Sequence, residues 1–211
     1  MPKSKNRKKT GTTSNKPTKG TINCGGEASS GNQTKMIFIG LAVAAAIGGG
    51  WWIWSTSQAD ASFRDLAGQG EAALANVQTF PDHGQRHLNH GESYRYQSAF
   101  PTSGPHAPFP TQPGFYNRPQ PAIQLVHAME HGNIVIYYDA ANTAAAAVLK
   151  DWAGLYQGTW DGIVAVPRGG LGEQVILSTW RKQLRLPKFD QGAAAAFVDA
   201  FRGRGPERKV R

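Results

Sequence analysis

The chain alternates between stretches with no apolar pattern and stretches with a clear one. Between Met1 and Met36 the one large apolar side chain is Ile22, and residues 1–35 are rich in Lys, Thr, Ser, Asn and Gly. Such a segment cannot bury enough surface to offset its ordering entropy, so it is expected to be disordered. Met36–Trp54 is the opposite: nineteen uncharged residues, closed by Lys35 on one side and by Trp51, Trp52 and Trp54 on the other. As a helix it would extend about 28 Å, close to a bilayer's hydrocarbon thickness.

Beyond that run, Ala59–Val77 has a helical stripe of Phe63, Leu66, Leu74 and Val77, weakened by Gly68 and Gly70. Phe80–Pro121 lacks periodicity and holds seven of the thirteen prolines between Pro101 and Pro121. Its aromatic residues (Tyr94, Tyr96, Phe100, Phe109, Phe115, Tyr116) favour a packed loop over a loose one. Regular structure then follows. Ala122–His131 reads as a short helix between Pro121 and Gly132, Asn133–Tyr138 as a strand, and Thr143–Gln157 as a helix. Gly162–Val166 and Gln174–Trp180 read as strands, and Gln191–Arg202 as a helix capped by Asp190. Arg181, Lys182, Arg185 and Lys188 read as a solvated basic face. The order predicts an α+β sandwich, one small mixed sheet with helices packed on it, preceded by a single transmembrane helix.

Charge sharpens the topology. The net charge is +9, but residues 1–35 carry eight bases against Glu27, leaving fifteen bases and thirteen acids for the rest. The basic side of the span is expected in the cytoplasm. That puts the C-terminal domain in the periplasm or extracellular space, on an inner (cytoplasmic) membrane protein, and argues against nucleic acid as a partner. Five segments follow: a cytoplasmic tail (1–35), the span (36–54), a juxtamembrane helix or linker (55–76), the outer domain (77–202) and a basic C-terminal tail (203–211). A signal peptide cut near Ala59-Asp60-Ala61 is the rival reading; the long leader and long apolar run favour an uncut anchor. Cys24, the single cysteine, precedes the span, so the outer domain has no disulfide.

All six histidines lie between His83 and His131. In a helix, His127 and His131 share one face, the spacing at which two imidazoles can grip one ion. His106 would arrive on a rigid Gly-Pro-His turn, and His87 would complete the set. Glu130 would be a ligand or would orient a ligand histidine, and Met129 could add a soft contact to Cu(I). Imidazole without thiolate outside the cytoplasm suits copper before zinc. Two other readings stay open. One is a structural histidine network in a membrane-tethered interaction or assembly module, with a membrane protein as partner. The other is a zinc-dependent hydrolase, because His127-x-x-Glu130-His131 matches the inverted zinc-peptidase pattern. That chemistry needs a distant acidic ligand, for which Glu71, Glu92 and Glu173 are on offer. Ser103, before Gly-Pro, reads as a turn residue and not as a nucleophile.

Pro101-Thr102-Ser103-Gly104-Pro105-His106, Gly114-Phe115-Tyr116, His127-Ala128-Met129-Glu130-His131-Gly132 and Tyr137-Tyr138 together resemble the bacterial family called domain of unknown function 3105. The likeness covers roughly residues 77–202. It implies a short cytoplasmic tail, one membrane span and one outward domain, and it implies no activity. His87, His106, His127, Glu130 and His131 match the family pattern by position. Phe100 stands where the family usually has proline, and Met129 where it usually has leucine, which implies a core role for Met129.

Overall fold

The computed structural model describes residue 55 and residues 57–211. The expected tail (1–35) and span (36–54) lie outside the described residues, and among those described no helix is long and apolar enough to cross a membrane.

Residues 57–69 form a helix (α1), and a 3-10 helix follows at Glu71–Asn76. The helix expected over Ala59–Val77 is therefore broken at Gly70. There the chain runs so close to Gly192 that a Cβ would have no room. Within residues 55–76, expected as a juxtamembrane helix or linker, α1 is built into the core. Phe63 meets the rings of Trp152 and Tyr156 edge-on at 5.0 Å each, and the Tyr156 hydroxyl donates to Asp60 at 2.8 Å.

Next come β1 (Gln78–Thr79), β2 (Gly114–Phe115), α2 (Ala122–Glu130), β3 (Ile134–Tyr138), α3 (Thr143–Leu155), β4 (Ile163–Pro167), β5 (Val175–Thr179), β6 (Lys182–Leu186) and α4 (Gln191–Phe201). The fold is α+β, with one mixed six-stranded sheet in the order β1-β6-β5-β3-β4-β2. β3 pairs parallel with β4 through the α3 crossover, with Val135 opposite Val164, and β2 adds parallel to β4. The β5 and β6 strands form an antiparallel hairpin, and β5 pairs antiparallel with β3.

Strands β3, β4 and β5 are buried on both faces, so their period-2 alternation separates two cores and not a core from solvent. Ile134, Ile136 and Tyr138 point with Ile163, Val175 and Leu177 into a core shared with Phe63, Leu149, Trp152, Phe197 and Val198, from α1, α3 and α4. Val135, Tyr137, Val164, Val166 and Ile176 point the other way, onto Leu125, Val126, Ala128 and Met129 of α2 and onto Trp180. Asp190 caps α4 as expected, accepting from Ala193 N–H (2.9 Å), and Asn142 caps α3, accepting from Ala145 N–H (3.1 Å).

Two residues of the basic run, Lys182 and Arg185, lie in a strand, with Arg181 and Lys188 outside it. In β6, Leu184 and Leu186 enter the larger core, while the Arg185 guanidinium lies 5.3 Å from the centre of the Phe100 ring on the other side. Lys and Arg hid the alternation because their long stems cover apolar surface while their charges stay in water. Two-residue β1 and β2, inside or beside the long loop, were likewise not expected. Residues 203–211 fold back onto the domain: Gly203 N–H donates to Gly132 O (2.9 Å), and Arg211 pairs with Asp199 (3.0 Å).

Candidate metal centre

Pro121 fixes the entry to α2, and Gly132, at φ +100°, ends it in a conformation that disfavours any side chain. His127, Glu130 and His131 fall at i, i+3 and i+4 and so share one helical face. Leu125, Val126, Ala128 and Met129 pack instead into the core beneath the sheet. Met129 is fully buried there, about 200° around the helix axis from His127. It packs as an apolar residue and does not join the histidines, so the soft-ligand expectation is set aside.

The long loop delivers the other two imidazoles. Backbone bonds Leu88 N–H to His106 O (2.7 Å) and His106 N–H to Arg86 O (3.0 Å) align His87 and His106 as neighbours on two short parallel stretches. The Tyr96 hydroxyl donates to Pro105 O at 2.6 Å, and Ala107 N–H donates to Ile123 O at 3.1 Å, fastening the turn to α2. Ser103 serves this turn, as expected: its Oγ accepts from His83 N–H and donates to Pro81 O. Arg86 forks onto Glu92 (3.0 and 2.6 Å), and that bond leads in holding the Glu92 carboxyl down to about 2.

His87, His106, His127 and Glu130 thus converge, with one candidate ligand atom from each inside a span of 4.8 Å. Glu130 Oε2 lies 2.9 Å from His106 Nε2, 3.7 Å from His87 Nε2 and 4.0 Å from His127 Nε2. The His87 ring stacks on His127 at 4.9 Å. Glu130 and His106 are buried, while His87 is half exposed. His106 Nδ1 donates to Gly104 O (2.8 Å) and His127 Nδ1 to Ala107 O (2.6 Å). A carbonyl can only accept, so in a neutral ring each Nε2 carries a lone pair aimed at the cluster. His106 Nε2 is buried and, despite its nearness to Oε2, has no well-aligned hydrogen bond. Burial pushes the His127 imidazolium down to about 4, helped by His131 and His106, so the ring is neutral near pH 7. For Glu130, burial acts upward, but the contact with His106 and the imidazoles around it outweigh that and leave the carboxyl below its usual range.

The chain supplies a further acid that sequence reading missed. His131 Nε2 lies 3.0 Å from His127 Nε2 and 3.1 Å from Glu207 Oε2, and His131 stacks on Trp160 at 4.1 Å. Glu207 reaches it because the backbone at Gly205 presses on Glu130 O and on Gly132 N, where neither glycine has room for a Cβ. Gly203, Gly205 and Pro206 were the available signal, marking a turn and not a tail. Glu71, Glu92 and Glu173 belong to neither His-containing cluster among the described residues. His83 and His90, both exposed, also stand apart from them.

An α+β domain with a half-sealed histidine–glutamate cluster is the class this fold and site define. The family described as Protein of unknown function (DUF3105) matches residues 87–211, more than half the chain and the whole of both clusters, and the chain belongs to it. No curated protein and no solved structure matches the chain.

Proposed function

We propose that this domain binds one transition-metal ion non-catalytically through His87, His106, His127 and Glu130, in a metal-handling or sequestering role. The observation that carries the reading is the orientation of two buried imidazoles, each with Nδ1 tied to a backbone carbonyl: His106 Nε2 faces the Glu130 carboxylate at 2.9 Å, and His127 Nε2 lies between that carboxylate, at 4.0 Å, and His131 Nε2, at 3.0 Å. That outer tie is how metal-ligating histidines are held. Without a proton or cation between them, a neutral His106 Nε2 and a Glu130 carboxylate at 2.9 Å present lone pair to lone pair. Tetrahedral ligands at about 2.0–2.1 Å from an ion stand about 3.3 Å apart, and the distances of 2.9, 3.7 and 4.0 Å bracket that spacing.

With Met129 turned away, the donors are imidazole and carboxylate, which suit Cu(II) or Zn(II) more than Cu(I). Divalent affinities at N/O sites place copper ahead of zinc. The uncharged run at 36–54 and the bases before it support a membrane tether, with the cytoplasm on the N-terminal side. The domain then works in the periplasm or outside the cell. Its single span sets it beside other membrane proteins, from which a partner would come.

The second reading, a structural histidine network in an assembly module, is favoured by the His127–His131 contact, where the His131 Nε2–H can donate to the His127 Nε2 lone pair with no ion required. For the hydrolase reading, Glu130 would have to be free to activate water; its closeness to three imidazoles suits a ligand better. Full-length protein in detergent, loaded with Cu(II) or Zn(II) and dialysed, is expected to retain one ion per chain by mass spectrometry. His106→Ala should lose retention at low-micromolar free metal. A folded wild type that retains none refutes metal binding and leaves the network.

A further inference from the structure

The two clusters overlap in one atom. His127 and Glu130 serve the inner group with His87 and His106; His127 also serves an outer group with His131 and Glu207, whose ligand atoms again lie within 4.8 Å. The outer spacings, 3.0 and 3.1 Å, sit near the tetrahedral value of about 3.3 Å. His127 has a single nitrogen to offer either group, because Nδ1 is committed to Ala107 O at 2.6 Å and points away from both. One lone pair binds one cation. Two dications held on either side of the same nitrogen would also repel strongly.

We propose that the domain has a second divalent-cation position, His127, His131 and Glu207, that shares His127 Nε2 with the first, so that a single ion occupies one position or the other and never both. The proposal rests on the metal reading above and adds Glu207, from the C-terminal segment, as a ligand. The outer position has two imidazoles and a half-exposed carboxylate against three imidazoles and a buried one. It is therefore the weaker of the two. An ion leaving the inner group can keep its bond to His127 while exchanging the rest of its shell, so the pair makes a short transfer path between His106 at one end and Glu207 at the other.

The test is Zn(II) titration of the full-length protein in detergent against a chromophoric chelator, with circular dichroism checking the fold. Wild type and Glu207→Gln should each bind one equivalent with affinities within about three-fold. The inner-group variant His106→Ala/Glu130→Gln should still bind one equivalent, at least ten-fold more weakly, and the triple variant His106→Ala/Glu130→Gln/Glu207→Gln none. His127→Asn, whose amide can replace the Nδ1 donor, should lose both positions; His127→Gln serves if that variant does not fold. Two equivalents in wild type overturn the sharing, as does an equivalent retained at wild-type affinity by the His127 variant. Equal binding by the inner-group variant and the triple variant overturns the outer position while leaving the inner one standing. No binding by wild type sinks the metal reading itself.

Discussion

Replacing Met129 separates packing from ligation at the centre of α2. The side chain is fully buried among Val126, Val135, Val164 and Ile176 and faces away from His127. Truncation to alanine leaves a cavity between α2 and the sheet, with a cost of about 2–5 kcal/mol for a buried Met→Ala change. A layer of one short helix has limited means of collapsing onto the gap, yet the lost group is unbranched, so about 3 kcal/mol is expected. For a domain of this size, each kcal/mol moves the melting point by about 2–4 °C, giving a fall of about 6–12 °C. Met129→Leu conserves volume and should cost under about 1.5 kcal/mol. The assay pairs thermal denaturation of metal-free protein with metal retention at 20 °C. Both variants should keep wild-type stoichiometry for Cu(II) and Zn(II), and Met129→Leu should keep the wild-type response to Cu(I). The packing argument is refuted if Met129→Leu melts like wild type but loses a Cu(I) affinity that wild type has, because only a thioether ligand would produce that pattern.

His127 gives the metal-free domain an acid sensitivity. Its folded value near 4 lies below the ordinary 6.5, so protons favour the unfolded chain; stability is full above pH 6.5 and falls as pH drops toward 4. With half-exposed His87 admitting water, about 2 kcal/mol is expected, read as the urea-unfolding difference between pH 7.5 and 4 in wild type minus that in His127→Gln; equal differences would remove His127 as the cause. Gly205→Ala drives a Cβ into the backbone at Glu130 and Gly132, so it should cost about 1–3 kcal/mol and expose residues 203–211 to carboxypeptidase, where wild type resists. Tyr96→Phe removes the hydroxyl bond to Pro105 O, should cost about 1 kcal/mol, and should speed metal loss to a chelator without changing stoichiometry; an unchanged off-rate would mean the turn needs no such tie.

The hydrophobic pattern gave away the elements whose apolar residues are dense. Ile134–Tyr138, Ile163–Pro167 and Val175–Thr179 are nearly continuous β-branched or aromatic runs, and the stripes of α3 and α4 match a 3.6-residue period with their caps in place. β6 escaped because only Leu184 and Leu186 mark it among charged neighbours. β1 and β2 are too short for any periodicity, and their pairing with β6 and β4 is set by contacts far along the chain. The site was legible in kind but not in extent. The i, i+3, i+4 spacing on α2 and the Gly-Pro-His turn pointed to four residues, His127, Glu130, His131 and His106, because local geometry carries them; the structure divides them between two overlapping clusters. Glu207 lies 76 positions beyond His131, and only the close approach of two glycines brings it back. Met129 sits between His127 and Glu130 in sequence and turns away from them in space, a distinction the helical period already contained.

The sheet ends, on both rims, in strands of only two residues. An exposed rim with a long unpaired ladder is a template on which another chain can add, and short rims are one way natural proteins suppress that association. A domain with no disulfide to lock it, opening now and then, would otherwise be prone to join its neighbours edge to edge. Here the outermost strands, β1 and β2, offer two residues each, so a strand added to either would find little ladder there to extend.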